Sequence, residues 1–125
     1  MTGLLLDTHV LLWWRGEYRR IGASVREKIA DPAVAVFFSS ASIWEIAIKH
    51  ASGKLHMPAN LLDTMAERGF LELPVRSTNG LRAGALPPHH ADPFDRMLVA
   101  QAQSESLTLV TSDTRIAAYD VSVLW

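Results

Sequence analysis

Four acidic residues of this sequence lie in or beside apolar segments, where a charged side chain is costly to desolvate unless something binds it. Asp7 and Asp113 each come just after a short apolar run, Glu45 lies inside a longer one, and Asp95 opens another. Carboxylate and water oxygens are the ligands that Mg²⁺ and Mn²⁺ prefer. The residue types therefore predict a site for a hard divalent cation, provided that the fold brings the four carboxylates together.

Such a cluster needs a counter-charge to be stable. Two carboxylates about 4 Å apart repel each other by roughly 4 kcal/mol at an effective dielectric constant of about 20. A divalent cation offsets this repulsion, because it can bind several carboxylates at once. We therefore expect the four acids to act as one metal-binding group.

Three of the four acids also have a purely structural explanation. Asp is a favoured N-cap, and Asp7 and Asp113 each directly precede a segment that predicts a helix. Asp95 would lie in the first turn of a helix, where the helix dipole favours a negative charge. For these three acids, the structural role and the metal-binding role both stay open. Asp92 precedes Pro93, a pairing typical of a helix start, so we interpret Asp92 as a cap that has room for an auxiliary role near the site.

Glu45 is different, because it lies in the middle of a predicted helix, away from the ends where a cap or the helix dipole would act. Its neighbours over residues 43–48 are apolar, and a helix that is apolar on most faces is buried. The alternative is an ion pair with Lys49 one turn later, which would contribute only about 0.2–0.5 kcal/mol on an exposed helix. This is too little to explain a charge in a buried segment, so we favour a functional role for Glu45.

Length and composition limit the class of protein. The chain has 125 residues, of which 49% are hydrophobic, enough for a single domain over residues 1–125. It contains no Cys, which excludes disulfides, zinc–thiolate sites and Cys nucleophiles. No run is long and apolar enough to span a membrane, and the N-terminus lacks the features of a signal peptide, so we expect a cytoplasmic protein. The net charge of −1 excludes no function.

Apolar runs that alternate with helical segments define the expected fold. Strands are predicted over 2–6, 34–38, 70–75, 107–111 and 121–124. Helices are predicted through 10–14 and over 23–30, 58–68, 78–85, 93–104 and 114–118, and a long helix between Ser39 or Ser40 and Gly53. Because the strands lack alternating polarity, the sequence predicts an α/β protein, a three-layer α/β/α sandwich with a mostly parallel central sheet. Ligands bind such sheets at the carboxyl ends of the strands, where Asp7 and Asp113 are expected.

Four segments of the chain combine in an order and spacing that are highly specific. They are residues 5–9, 42–49, 90–102 and 109–113, with the sequences LLDTH, SIWEIAIK, HADPFDRMLVAQA and LVTSD. With these segments the protein resembles the PIN-domain ribonucleases, and within that family the VapC toxins of type II (VapBC) toxin–antitoxin systems. The resemblance extends over essentially the whole chain, whereas any one segment alone would be a weak signal.

The resemblance implies a PIN-like fold, a reaction and a set of partners. Asp7, Glu45, Asp95 and Asp113 would be the acidic quartet that is catalytic in the family and binds Mg²⁺ or Mn²⁺. The implied reaction is the hydrolysis of an RNA phosphodiester bond, which leaves 5′-phosphate and 3′-hydroxyl products. The implied partners are an RNA substrate, a cognate VapB-type antitoxin that inserts a segment over the acidic site, and a second copy of the chain in a homodimer.

Three further residues are interpreted as supporting the quartet. By the resemblance, Thr111 matches a supporting hydroxyl position two residues before Asp113. Thr8 is placed to assist beside Asp7. Asp92 adds negative charge near the site, and the sequence leaves open whether it binds the metal directly or through water.

Two cations and a histidine in the matched segments have competing interpretations. Lys49 either contacts a phosphate group of the substrate or pairs with Glu45, one helical turn away. For Arg96 we favour an ordinary salt bridge with the adjacent Asp95 over a phosphate contact. For His90 we expect a positional role, because the predicted metal chemistry does not require a histidine as a general base.

Three other classes of protein fit part of the pattern. A Mg-dependent phosphatase of the haloacid-dehalogenase type also has Asp after its first strand, but it needs a second Asp two residues later, where this chain has His9. A phosphate-accepting receiver domain expects paired acids early in the chain, and here the first strand is followed by Asp7 alone. A non-catalytic RNA- or partner-binding domain of the same fold would use its acids only as caps. Glu45 argues against this last alternative.

Overall fold

A five-stranded sheet forms the centre of the protein, and the computed structural model describes it within residues 2–125. The strands are β1 (Leu4–Leu6), β2 (Val36–Ser39), β3 (Leu71–Leu73), β4 (Thr108–Val110) and β5 (Val123–Leu124). Their order across the sheet is β3-β2-β1-β4-β5, and each neighbouring pair is parallel. The first strand of the chain therefore lies in the middle of the sheet, and the carboxyl ends of the strands share one edge.

Seven helices connect the strands within the part of the chain that the structure describes. They are α1 (Thr8–Gly16), α2 (Ala23–Ala30), α3 (Ser40–Ala51), α4 (Leu61–Glu67), α5 (Ser77–Ala85), α6 (Pro93–Glu105) and α7 (Thr114–Ala117). A turn of 3₁₀ helix over Tyr18–Arg20, which the sequence analysis does not predict, separates α1 from α2. Within residues 2–125, no helix combines the length and the apolar character that crossing a bilayer requires.

The sheet separates two apolar cores, as a three-layer sandwich requires. Leu4 and Leu6 of β1 face one core, which also contains side chains from α1, α2, α3 and α4. Leu5, between them, faces the opposite core, where it packs with residues of α6 and α7. Because successive side chains of a strand point to opposite faces, an apolar run such as Leu4–Leu6 fills both cores at once. The predicted α/β/α architecture is confirmed.

The strands are shorter than the apolar runs that predict them. Val34 and Leu107 lie just outside β2 and β4, but both side chains are buried in the cores. An apolar residue next to a strand contributes to the core without pairing in the sheet. The hydrophobic pattern therefore locates each strand correctly and overestimates its length.

The prediction that α3 is buried on most faces is wrong. Trp44 and Ile48 are 64% and 43% exposed, whereas Glu45 and Ile46 lie on the buried face. Trp44 packs edge-on against Phe94 of α6, with ring centroids 5.4 Å apart, beside a groove of about 400 Å³. Glu45 is buried because it lies on the inward face of the helix, even though α3 as a whole is amphipathic.

The side chain of Gln101 ties α6 to the carboxyl ends of two strands. It is fully buried. Its Oε1 atom accepts a hydrogen bond from the Ser39 hydroxyl at 2.5 Å, and its Nε2 atom donates to the carbonyls of Leu73 and Pro74, both at 3.3 Å. Since Ser39 ends β2 and Leu73 ends β3, this one amide fixes the position of α6 relative to the sheet.

We expect the substitution Gln101→Leu to destabilise the fold. It removes the partner of the buried Ser39 hydroxyl and of two partly buried carbonyls, and an orphaned buried polar group costs about 1–3 kcal/mol. Urea denaturation should show a fall of more than about 1 kcal/mol in the free energy of unfolding. The control is Gln103→Leu in the same helix, whose hydrogen bonds lie at the surface and whose loss should change the stability by less than about 0.5 kcal/mol. Equal effects of the two substitutions would contradict this prediction.

Candidate active site

The predicted acidic residues meet in one cavity at the carboxyl ends of β1 and β4. Asp7 directly follows β1, Asp113 follows β4, and Glu45 and Asp95 are brought in by α3 and α6. The cavity has a volume of about 710 Å³ and is lined by Asp7, His9, Trp13, Glu45, Lys49, His90, Ala91, Asp92, Asp95, Ser112, Asp113 and Arg115. The fold thus joins all four acids, although nearly forty residues or more separate Asp7 from each of the others.

Capping and site formation are compatible in this structure. Asp7, Asp92 and Asp113 are the N-caps of α1, α6 and α7, and each accepts a hydrogen bond from a backbone N–H of the first turn. In each of these caps only one carboxylate oxygen, Oδ1, takes the backbone hydrogen bond. The cap therefore fixes the orientation of the carboxylate and leaves the second oxygen for other partners.

Glu45 is nearly inaccessible to solvent, and each of its oxygens has a polar partner. It is 3% exposed. The hydroxyl of Thr8 donates to Oε1 at 2.6 Å, and the Lys49 ammonium group lies 2.6 Å from Oε2. The hydrogen bond to Glu45 raises the pKa of Lys49. The ion pair considered in the sequence analysis is therefore present, but beside a buried carboxylate, and Thr8 bonds to Glu45 rather than to its neighbour Asp7.

The Thr111 hydroxyl connects the two acids that follow the central strands. Burial raises the pKa of Asp7, and a hydrogen bond with the Thr111 side chain opposes that rise. The same hydroxyl oxygen accepts the backbone N–H of Asp113 at 3.1 Å. The Thr111 side chain therefore lies beside the Asp7 carboxyl group and the backbone of Asp113.

The ionised form of Asp95 is costly in the cavity. Burial and the negative charge of Asp92 raise its pKa to about 6, with smaller contributions from Glu45 and Asp7, while His90 lowers it. A carboxyl group in this position gains from any cation that replaces its proton. The oxygen-rich set of side chains around it matches the ligand preference of a hard divalent cation, so the residues present fit such a metal.

Arg115 balances the charge of Asp113. Partial burial would raise the pKa of Asp113, but hydrogen bonds from the side chain and backbone of Arg115 and from His90 outweigh this effect and hold the pKa below its ordinary value. The side chain of Arg115 is 64% exposed. Sequence reasoning misses its role, since an exposed Arg close to an Asp is a common surface feature. The one local signal for this role is that Arg115 lies two residues after Asp113, the N-cap of α7.

The predicted salt bridge between Arg96 and Asp95 is wrong. The Arg96 guanidinium donates instead to a group of backbone carbonyls, and to the hydroxyl of Tyr119 at 3.3 Å. The carbonyls belong to Ala83, Gly84, Leu86, Pro87 and His90, at distances of 2.8 to 3.5 Å. Arg96 therefore holds the segment between α5 and α6 in place.

His90 lies at the inner wall of the cavity between two of the acids. Its Nε2 atom is 2.9 Å from Oδ2 of Asp95 and 3.1 Å from Oδ2 of Asp113. The ligand-type atoms of these three residues all lie within 4.8 Å of one another. The positional role expected of His90 thus has a specific geometry, which the sequence does not reveal.

A parallel sheet with an acidic cavity at its carboxyl edge defines an α/β protein with a carboxylate-rich candidate metal centre. The chain belongs to the PIN domain family, whose model its sequence matches over residues 4–122. It is 28% identical over 122 residues to Ribonuclease VapC22 of Mycobacterium tuberculosis, which covers 95% of this chain and 93% of the relative.

Several solved structures have a similar fold, among them two VapBC structures bound to DNA. The crystal structure of VapBC2 from Rickettsia felis bound to a DNA fragment from their promoter matches with a TM-score of 0.73 and 14% identity, covering 97% of this chain and 96% of that one. DNA-bound VapBC from Salmonella typhimurium matches with a TM-score of 0.72 and 18% identity, covering 99% and 98%. At identities this low, the comparison shows that the folds are similar and nothing more.

Asp95 should make the metal-free protein less stable as the pH rises from about 4 to about 6. Folding raises the pKa of Asp95, so its stabilising contribution is complete below the unfolded pKa of about 4 and is lost as the pH passes through the folded pKa of about 6. Asp95→Asn removes the titrating group and should flatten this part of the profile.

Thermal unfolding of both proteins in metal-free buffer across this pH range measures the difference. The melting temperature of the wild type should fall relative to that of Asp95→Asn as the pH rises. Parallel profiles for the two proteins would show that Asp95 has an ordinary pKa.

Proposed function

We propose that this protein is a metal-dependent endoribonuclease that acts as the toxin of a VapBC-type toxin–antitoxin pair. The main support for this proposal is that one cavity is lined by all four acids of the quartet, Asp7, Glu45, Asp95 and Asp113. Membership of the PIN domain family and the likeness to a protein named Ribonuclease VapC22 support the reaction. The shared fold with VapBC proteins supports an antitoxin as the partner.

The cofactor that we propose is Mg²⁺ or Mn²⁺. Asp7, Asp95 and Asp113 would hold it, directly or through water. Such an ion, when bound, lowers the pKa of a coordinated water and stabilises negative charge on a phosphate. The raised pKa of Asp95 supports this assignment, because its carboxylate lacks a full counter-charge within the chain.

Glu45 is assigned either to the metal or to the attacking water. Thr8 and Lys49 hold its carboxylate in one orientation, and a fixed carboxylate can accept a proton from a water that it also positions. Asp92 adds negative charge to the cavity wall while it caps α6.

The proposed hydrolysis breaks the bond between phosphorus and the 3′ oxygen, which leaves a 5′-phosphate and a 3′-hydroxyl.

Cationic side chains at the cavity favour a phosphodiester as the substrate. Lys49 and Arg115 both line the cavity, and 33% of the Lys49 side chain and 64% of the Arg115 side chain are exposed. Both cations pair with acids of the cavity, and their exposed portions can also offset the negative charge of a phosphate group that enters it. Membership of the PIN domain family also argues against the phosphatase alternative.

The substitution Asp7→Asn should abolish cleavage of RNA and leave the fold intact. It removes the charge at constant shape, and Asn caps helices as well as Asp, so α1 keeps its N-cap. Glu45→Gln should also abolish cleavage. The assay compares the variants with wild type on RNA in Mg²⁺ or Mn²⁺, with and without EDTA, and circular dichroism checks folding.

The matched control is Asp63→Asn, which makes the same chemical change at an exposed acid of α4, outside the cavity. It should cleave like wild type. Full activity of folded Asp7→Asn, or cleavage that persists in EDTA, would overturn the assignment of a metal-dependent site.

Expression of the wild-type chain without a partner should arrest bacterial growth, and expression of Asp7→Asn should not. The reason is that unrestrained cleavage of cellular RNA requires the intact acidic site. Growth curves after induction measure the effect, with immunoblots to show equal soluble amounts of both proteins. Normal growth with abundant, RNA-cleaving wild-type protein would contradict the role as a toxin.

The homodimer stays a prediction. The groove beside Trp44 and Phe94, close to the acidic cavity, is an exposed apolar surface of the kind that subunit interfaces cover. Such a contact would bury Trp44, which is 64% exposed in the single chain.

A further inference from the structure

The imidazole of His90 is buried at the acidic cavity, and the proposed reaction gives it no role. The residue is 6% exposed. Its Nε2 atom lies within hydrogen-bond distance of one oxygen of Asp95 and one oxygen of Asp113. These two acids come from different parts of the chain, one from α6 and the other from the segment after β4. His90 is thus in contact with both.

Hydrogen bonding at the other ring nitrogen fixes the tautomer. The backbone N–H of Asp92 donates to Nδ1 of His90 at 3.2 Å. A ring nitrogen that accepts a hydrogen bond carries no proton, so the proton of the neutral ring is on Nε2. The Nε2–H group therefore points towards the two carboxylate oxygens and can donate to them.

The backbone on both sides of the ring is held rigidly. The N–H of His90 donates to the Tyr119 hydroxyl at 3.0 Å, and that hydroxyl donates to the carbonyl of Pro87 at 2.8 Å. The carbonyl of His90 accepts from the Arg96 guanidinium at 3.3 Å. Because backbone and ring are both restrained, Nε2–H stays in a fixed position relative to the sheet.

We propose that His90 is a positioning residue of the metal centre. Its Nε2–H bridges Oδ2 of Asp95 and Oδ2 of Asp113, and so holds the two carboxylates in the orientation in which they bind one cation. The inference rests on the proposed function in taking these two acids as metal ligands. Hydrogen bonds that orient ligating groups typically change metal affinity by about 10- to 100-fold.

The geometry argues against His90 as a ligand itself. Coordination through Nε2 would move the proton to Nδ1, where it would face the N–H of Asp92, and two donors would then oppose each other. Hard cations also prefer carboxylate oxygens to imidazole nitrogen. The ring therefore acts on the metal through the carboxylates.

Two substitutions separate this role from a structural one. His90→Gln keeps an N–H donor near the position of Nε2, whereas His90→Asn keeps only a group near Nδ1, which can still accept the N–H of Asp92. Isothermal titration calorimetry with Mn²⁺ should show that His90→Asn lowers the affinity by about 10- to 100-fold and that His90→Gln retains most of it. Circular dichroism shows whether both variants are folded.

Several results would overturn the proposal. If the role of His90 is merely structural, the affinities for Mn²⁺ will be reversed: His90→Asn will keep the affinity and His90→Gln will lose it. Equal affinities of the wild type and both variants would exclude any role of His90 in metal binding. Nitrogen coupling to Mn²⁺ in pulsed electron paramagnetic resonance of the wild type, absent from His90→Gln, would make His90 a ligand.

A measurement on the wild type can overturn the proposal even if neither variant folds. In the Mg²⁺-loaded protein, ¹H–¹⁵N correlation spectra of the imidazole should show the Nε2–H tautomer, and the Nδ1–H tautomer would overturn the proposal. These readouts report metal binding rather than cleavage. RNA left intact by a protein that shows the predicted binding would therefore count against the ribonuclease and not against the role of His90.

Discussion

The mutual repulsion of carboxylates crowded into one small cavity is the constraint on which the rest of this structure depends. The raised pKa of Asp95 is its clearest sign. The other acids are each stabilised by the chain itself: Asp7 by its cap and Thr111, Glu45 by Thr8 and Lys49, and Asp113 by Arg115 and His90. Asp95 is compensated only in part, by His90, and it lies where a cation would contact its neighbours too.

Holding such charges together requires a rigid framework, and α6 provides much of it. Gln101 binds this helix to the ends of β2 and β3, while Arg96 binds it to the preceding loop. Both side chains donate hydrogen bonds to backbone carbonyls. A backbone carbonyl is present whichever side chain its residue carries, so these hydrogen bonds do not depend on the side chains of the acceptor residues. These polar groups of α6 thus help to fix the position of Asp95 relative to Asp7 and Asp113 through the main chain, in addition to the apolar packing of the helix.

The sequence predicts those features that depend on local pattern. Apolar runs locate all five strands, and the N-caps at Asp92 and Asp113 follow from residue type and the helix after them. Most partners of Arg96 could not be predicted, because they are backbone carbonyls of the segment 83–90, which carry no side-chain signal. The exposure of Trp44 escaped prediction too, since a Trp on the outer face of α3 looks like a core residue until the packing is known.

The order of the strands has a consequence for how the protein is made. The strand β1 is synthesised long before one of its two neighbours in the sheet, β4, which comes from residues 108–110. Pairing between distant segments is slow, and it cannot begin until the later segment exists. A nascent chain therefore lacks both the neighbour of its central strand and Asp113. The acidic cavity is complete only after β4 and Asp113 have been translated, so a chain that ends before them cannot carry out its chemistry.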